Sequence, residues 1–221
     1  MKEIIPNLFE IRATNVSEKY RTYNYLLVRP SGNILLSSLP FENRLDEQFG
    51  EIKSKGKLIA QFLGDRHNAS SGCDDIRKSC GGKILCSETE GKVIRKKGLE
   101  LDETLQFVPQ KWASDFDVIP FPGHTPGGLA FLWSGSTEKC LFVGDAFIPS
   151  GDTWEFYVKE KDSKTMENSL ENLQNVEFDR ILFSSFSVIG EPSLKIKKIQ
   201  KEKFLNELMS TLRANNGVKK K

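Results

Sequence analysis

The chain has two histidines, His67 and His124, and each sits in a loop that ends an apolar run. His67 lies in "QFLGDRHNASSG", two residues after Asp65, and His124 lies in the Pro/Gly turn "FPGHTPGG". A third apolar run, "LFVGDAF", delivers Asp145 after a glycine. In an extended segment residues i and i+2 project to one side, so Asp65 and His67 can offer two ligands to one point. Two imidazoles and two carboxylates suit a divalent ion such as Zn, Fe or Mn. Strand-end loops are rigid enough to hold such ligands. Each residue also has a plainer reading. His67 is then an exposed loop histidine, and His124 hydrogen-bonds within its own turn. Asp145 caps the backbone that follows it, and Asp65 is an ordinary turn residue.

The elements that would carry these loops are legible in part. "NYLLVRPSGNILLSS" holds two apolar runs around a turn and reads as a hairpin. "KGKLIAQFL" is a strand running into the Asp65 loop, "SGCDDIRKSC" a short helix closed by Gly81 and Gly82, and "KILCS" another strand. Further strands are expected within residues 96–124, and "GLAFLW" and "KCLFVGD" read as buried strands. Met166, Leu170, Leu173 and Val176 recur at helical spacing between Ser163 and Val176. "FDRILFSSFSVIG" returns to β. The stretch from Leu194 to Gly217 reads as one amphipathic helix, with Ile196, Ile199, Phe204, Leu208 and Leu212 on its apolar side, and Lys219 to Lys221 as a basic tail. Sheets covered by helices, in an α+β layered domain, are the expected architecture.

At 221 residues with 38% hydrophobic content the chain can bury one sizeable core, so residues 1–221 are expected to form a single domain, with residues 195–221 as the terminal helix and tail. Lys+Arg 32 against Asp+Glu 30 leaves no field that would favour nucleic acid or a membrane surface. No window approaches the roughly 18 apolar residues of a membrane helix, and the first residues lack the apolar core of a signal peptide. A cytoplasmic protein is the expectation. Cys73, Cys80, Cys86 and Cys140 contain no C-x-x-C pair and read as free thiols, since their gaps match no usual zinc spacing.

"PFPGHTPGGLAFLW" followed by "KCLFVGDAF" resembles the metallo-β-lactamase superfamily, in particular its glyoxalase II-like branch, which carries a G-H-T-P-G-like motif and then a strand ending in G-D. "AQFLGDRHNASSG" occupies the place of that family's H-x-H-x-D-H motif, and the similarity extends over roughly residues 5–190. The resemblance implies a four-layer αββα sandwich with a metal site at one edge of its two sheets. The carry-over is uneven. Asp65 replaces the motif's first His, His67 keeps the second, and Ala69 and Ser70 replace its Asp and third His. His124 and Asp145 are retained, while Ser184 or Ser185 stands where the family has its terminal His.

Sorted by ion, Asp65, His67, His124 and Asp145 remain for the first metal position, and only Asp145 for the second. The resemblance therefore implies one divalent ion, Zn, Fe or Mn, or none. Asp in place of His makes the site harder and shifts preference toward Fe or Mn. Four protein ligands would close a tetrahedral zinc site and leave no place for water. The motif's water-orienting Asp is gone, and nothing in the sequence places Asp75, Glu88 or Tyr157 as its substitute. Two functions follow as expectations. One is a metal-dependent hydrolase of an ester, thioester or lactone-type bond. The other is a non-catalytic relative whose pocket binds a small molecule or partner. Trp154, Phe156 and Tyr157 either line that pocket or pack.

Overall fold

The computed structural model describes residues 1–15, 20–37, 45–187 and 193–217. Seven strands lie side by side in sequence order in the first sheet: β1 (Lys2–Ile5), β2 (Leu8–Asn15), β3 (Tyr20–Leu27), β4 (Asn33–Ser37), β5 (Leu58–Leu63), β6 (Gly81–Ser87) and β7 (Glu103–Leu105). The β1–β4 part is antiparallel, and β3 and β4 form the expected hairpin. From β4 to β7 the ladder is parallel. Parallel strands are normally covered on both faces, and the near-continuous apolar run "LIAQFL" of β5 fits that environment.

The second sheet takes the order β16-β14-β11-β10-β9-β8, built from β8 (Gln110–Ala113), β9 (Phe116–Pro120), β10 (Leu129–Trp133), β11 (Cys140–Phe142), β14 (Arg180–Leu182) and β16 (Ser193–Lys195). A hairpin of β12 (Phe147–Ser150) and β13 (Thr153–Phe156) stands apart, and β15 (Ser185–Ser187) pairs with the start of β3. Phe62, Leu85 and Leu27 from the first sheet meet Phe116, Phe131 and Trp133 from the second in one dry layer. Phe116 and Phe131 stack there at 5.6 Å, against the edge of Phe62.

Helices cover both outer faces. On the first sheet, Phe49 and Ile52 of α1 (Leu45–Ser54) and Ile76 of α2 (Ser71–Cys80) pack on Leu26 and Leu35. Ile94 of α3 (Glu88–Lys96) packs on Ile84 and Cys86. On the second sheet, Met166 and Leu170 of α4 (Ser163–Asn172) join Phe204, Leu205 and Leu208 of α5 (Lys201–Gly217) against Leu141, Ile181 and Phe183. The result is the expected αββα sandwich. No helix among the described residues is long and apolar enough to cross a membrane.

Three local expectations change. Helices α1 and α3 form where no helix was expected. The predicted helix from Leu194 does not start there: Ser193–Lys195 is the edge strand β16, paired antiparallel with β14. Ile196 is buried, but Ile199 is 90% exposed, so it is not part of the apolar face. The helix itself begins at Lys201. The basic tail, Lys219 to Lys221, lies outside the described residues. All four cysteines are free, with Cys73, Cys86 and Cys140 buried. Burial pushes the Cys86 and Cys140 thiols up to about 12.

Candidate metal centre

Two loops at one edge of the sandwich carry the site. The first leaves β5 at Gly64, whose carbonyl accepts the Leu129 N–H at 2.8 Å and so ties the end of β5 to the start of β10 in the other sheet. Asp65 then organises its own turn: its Oδ1 accepts the His67 N–H at 2.7 Å, and its N–H donates to Asn68 Oδ1 at 3.1 Å. This is an Asx turn, the plainer role foreseen for Asp65. It occupies Oδ1 only, and Oδ2 faces His124 at 3.5 Å.

The second loop, Phe121–Gly128, joins β9 to β10 and is closed at its base by Phe121 N–H to Gly128 carbonyl at 2.7 Å. Ser169 of α4 donates to the Pro122 carbonyl at 2.7 Å. Gly123 adopts φ +141, and a Cβ there would lie 2.7 Å from Met166, so only glycine lets the loop lie on α4. From the other side, Ser87 Oγ donates to the Gly127 carbonyl at 2.6 Å and the Gly127 N–H donates to Glu90 Oε1 at 2.7 Å. Thr125 Oγ1 is buried with no hydrogen-bond partner among the described residues.

These loops bring Asp65, His67 and His124 together. His124 Nε2 lies 3.0 Å from His67 Nδ1, and the Asp65 oxygens lie 3.5 Å from His67 Nδ1 and 3.5 Å from His124 Nε2. The two carboxylate distances end on different oxygens, Oδ1 toward His67 and Oδ2 toward His124. One ligand atom from each residue falls within 4.8 Å of the others, near the roughly 3.3–3.4 Å spacing that zinc bonds of about 2.0–2.1 Å set in a tetrahedral site. The His124 tautomer follows from its other nitrogen. Nδ1 is 2.5 Å from the Tyr157 carbonyl, which can only accept, so Nδ1 carries the hydrogen and Nε2 presents its lone pair. A backbone carbonyl in this position is the usual support for a metal-binding imidazole. The carboxylate is nearly enclosed while the His67 side chain is 47% exposed, so the cluster opens to solvent on the His67 side.

Asp65 and His67 shift each other in opposite directions. Burial works to raise the Asp65 carboxyl, but hydrogen bonding to His67 and the charges of both imidazoles outweigh it and hold the carboxyl below its ordinary value. The Asp65 carboxylate in turn raises His67, against partial burial, with a smaller push from Asp145 and an opposing one from Lys97.

Asp145 lies after β11, buried, with its charge felt at His67, but outside the set of ligand atoms that fall within 4.8 Å of one another. That set is Asp65, His67 and His124, the one such group among the described residues, so Cys73, Cys80 and Cys86 do not form a second. Ala69 packs beside α2, and Ser70 Oγ lies 3.9 Å from Cys73 Sγ. The Ser184 N–H donates to the Gly144 carbonyl at 3.2 Å, which places Ser184 beside the Asp145 loop; the Ser185 side chain lies outside the described residues. Glu88 accepts the Phe107 N–H, Asp75 lies on α2, and Tyr157 contributes its carbonyl. Trp154 packs among Phe147, Phe183 and Phe204. Arg66 and Glu90 were not anticipated. Glu90 is fully buried and pairs with Arg66 through Nε, and through Nη2 at 2.9 Å.

No protein-family model matches this sequence, and no curated protein sequence does. Solved structures do match. TMB-1 is similar at TM-score 0.75 and 13% identity, covering 97% of this chain and 96% of that one. The class B3 di-zinc metallo-β-lactamase LRA-12 from an Alaskan soil metagenome is similar at TM-score 0.66 and 18% identity, covering 97% and 92%. A Cronobacter sakazakii metallo-β-lactamase described by its HARLDQ motif is similar at TM-score 0.66 and 13% identity, covering 97% and 93%. At such identities the likeness concerns the fold, and the fold is that of the metallo-β-lactamases.

Proposed function

We propose that this metallo-β-lactamase-fold chain is a metal-dependent hydrolase that holds one divalent ion on Asp65, His67 and His124. The observation that carries the reading is the convergence of Asp65, His67 and His124, one ligand atom from each lying within 4.8 Å of the others, with the His124 tautomer set by Tyr157. Two imidazoles and one carboxylate are a donor set used by catalytic zinc and by non-haem iron, and three protein ligands leave a coordination position open. A bound ion would supply Lewis-acid chemistry, polarising a carbonyl and acidifying water. The chain's own residues do the rest. His67 must give up its Nδ1 proton for the ion to bind there, and Asp145 stands outside the three-residue set as a second carboxylate whose charge reaches His67. Small molecules reach the cluster from the His67 side. An ester, thioester or lactone substrate is supported by the likeness of "FPGHTPGG" to the glyoxalase II-like branch.

One observation favours the second reading, a non-catalytic binder: Ala69 and Ser70 are taken up in packing around α2, so neither offers an acid or base. The test is common to both. Protein purified without chelator should carry close to one Zn, Fe or Mn per chain, and should turn over thioesters or lactones until chelator is added. Metal without turnover across such a panel selects the binder. Absence of metal overturns the site.

A further inference from the structure

We propose that Glu90 is a positioning residue that latches the two ligand-bearing loops to each other; the proposal rests on the metal-site reading above. Glu90 occupies the third position of α3 after Ser87, which caps the helix by accepting the Glu90 N–H at 3.3 Å. In a capping box a glutamate at this position turns back to the N-cap N–H. Here the carboxylate instead grips two other partners. One oxygen accepts the Gly127 N–H at 2.7 Å, in the loop of His124. The two oxygens also take the Arg66 guanidinium as a fork, in the loop of Asp65 and His67.

The grip is reinforced from both sides. Ser87 Oγ holds the carbonyl of the same Gly127 residue, so its N–H and its C=O are both fixed by the first turn of α3. A Cβ at Gly127 would lie 2.6 Å from Ser87 Oγ and 2.9 Å from Glu90 Cγ, so the close approach itself requires glycine. On the other loop, Lys97 at the end of α3 donates to the Arg66 carbonyl at 2.6 Å. Arg66 stands between the two ligands of its loop, and Gly127 follows His124 closely. The latch therefore spans the gap across which His67 Nδ1 and His124 Nε2 face each other at 3.0 Å. A charge-assisted fork of this kind fixes direction as well as distance.

The test compares wild type, Glu90→Gln and Arg66→Lys, each first shown to be folded by circular dichroism. Arg66→Lys keeps the charge and loses the fork. We expect Zn(II) affinity to fall by roughly 10–100-fold in Glu90→Gln, the range seen when groups behind metal ligands are removed, and by less in Arg66→Lys. The Co(II) visible spectrum should change, and in metal-free protein the proton NOE between the His67 and His124 rings should weaken. Unchanged affinity, Co(II) spectrum and NOE in the folded variants would overturn the proposal. If wild type binds neither Zn(II) nor Co(II), the metal reading falls and the latch is judged on the NOE: lost in the variants it stands, retained it fails. If Glu90→Gln does not fold, Arg66→Lys decides alone by the same readouts.

Discussion

Asp65→Asn separates the two roles that the structure gives Asp65. As a turn residue, Asp65 uses Oδ1 to accept the His67 N–H at 2.7 Å, and an asparagine oxygen does the same. The new Nδ2–H2 would replace Oδ2 at 3.5 Å from His124 Nε2, a lone pair able to accept it. The variant also removes a buried charge. Metal-free stability should therefore stay within about 1 kcal/mol of wild type, the scale of one net hydrogen bond. As a ligand, the carboxylate supplies the only negative charge on the triangle, and a neutral amide should weaken divalent-ion binding by at least about 100-fold, or 2.7 kcal/mol.

Thermal unfolding with and without zinc reads both numbers. Zinc at 100 times the wild-type Kd stabilises wild type by about 2.7 kcal/mol, which for a chain of this size is a rise of roughly 5–11 °C. In Asp65→Asn the same zinc concentration would equal the new Kd and contribute about 0.4 kcal/mol, a rise of roughly 1–2 °C. Equal zinc shifts in the two proteins would refute the ligand role. A metal-free loss above about 3 kcal/mol would refute the other half, by showing that the charge itself holds the loop.

Three further outcomes follow from the geometry. Zinc affinity should fall about tenfold per displaced proton for each pH unit below the raised His67 value, and Asp65→Asn should move that fall to lower pH, as competition titrations between pH 5 and 9 would show. In metal-free protein the His67 contribution has the opposite sense: it is complete below about 6.5 and is lost as pH rises through the raised folded value. Gly123→Ala should cost about 2–5 kcal/mol in urea unfolding, because a positive φ and a 2.7 Å approach to Met166 are penalised together. Asp115→Ala should cost about 3–5 kcal/mol at neutral pH. It leaves the Arg29 guanidinium, 2% exposed, without its carboxylate and Trp133 without its acceptor. Arg29 holds the Asp115 carboxyl below its ordinary value, so this contribution is present above about 3.9 and is lost as pH falls through the folded value. The gap between wild type and variant should close on acidification.

What was legible in the sequence was chiefly what short range decides. "FPGHTPGG" announces a tight turn because Gly123 must take a positive φ and Gly127 must admit Ser87 and Glu90. The sequence paired Asp65 with His67 through an extended i, i+2 spacing, whereas the structure brings them together in a turn closed by the Asp65 carboxylate on the His67 N–H. The C-terminal segment was misread because Leu194, Ile196 and Ile199 were folded into one helical face: Leu194 lies in the edge strand and is 40% exposed, Ile196 is buried after it, and Ile199 faces out. Helix α3 was missed because most of "ETEGKVIRK" is charged and only Glu90, Gly91 and Ile94 are buried. Its start was nevertheless written in "SETE", a capping-box signature.

The part no local pattern could supply is the Glu90 contact set, since Arg66 and Gly127 are remote in sequence and become neighbours only when the two sheets close. That distinction bears on how degeneracy in a motif should be weighed. Counting ligands in "DRHNAS" records two losses, Ala69 and Ser70, and suggests decay. For the first position the surrounding structure adds what that count omits: the turn of Asp65, the carbonyl behind His124 and the buried carboxylate of Glu90 all place polar contacts around the Asp65, His67 and His124 side chains. Glu90, fully buried between the two loops, ties their alignment to the first turn of α3.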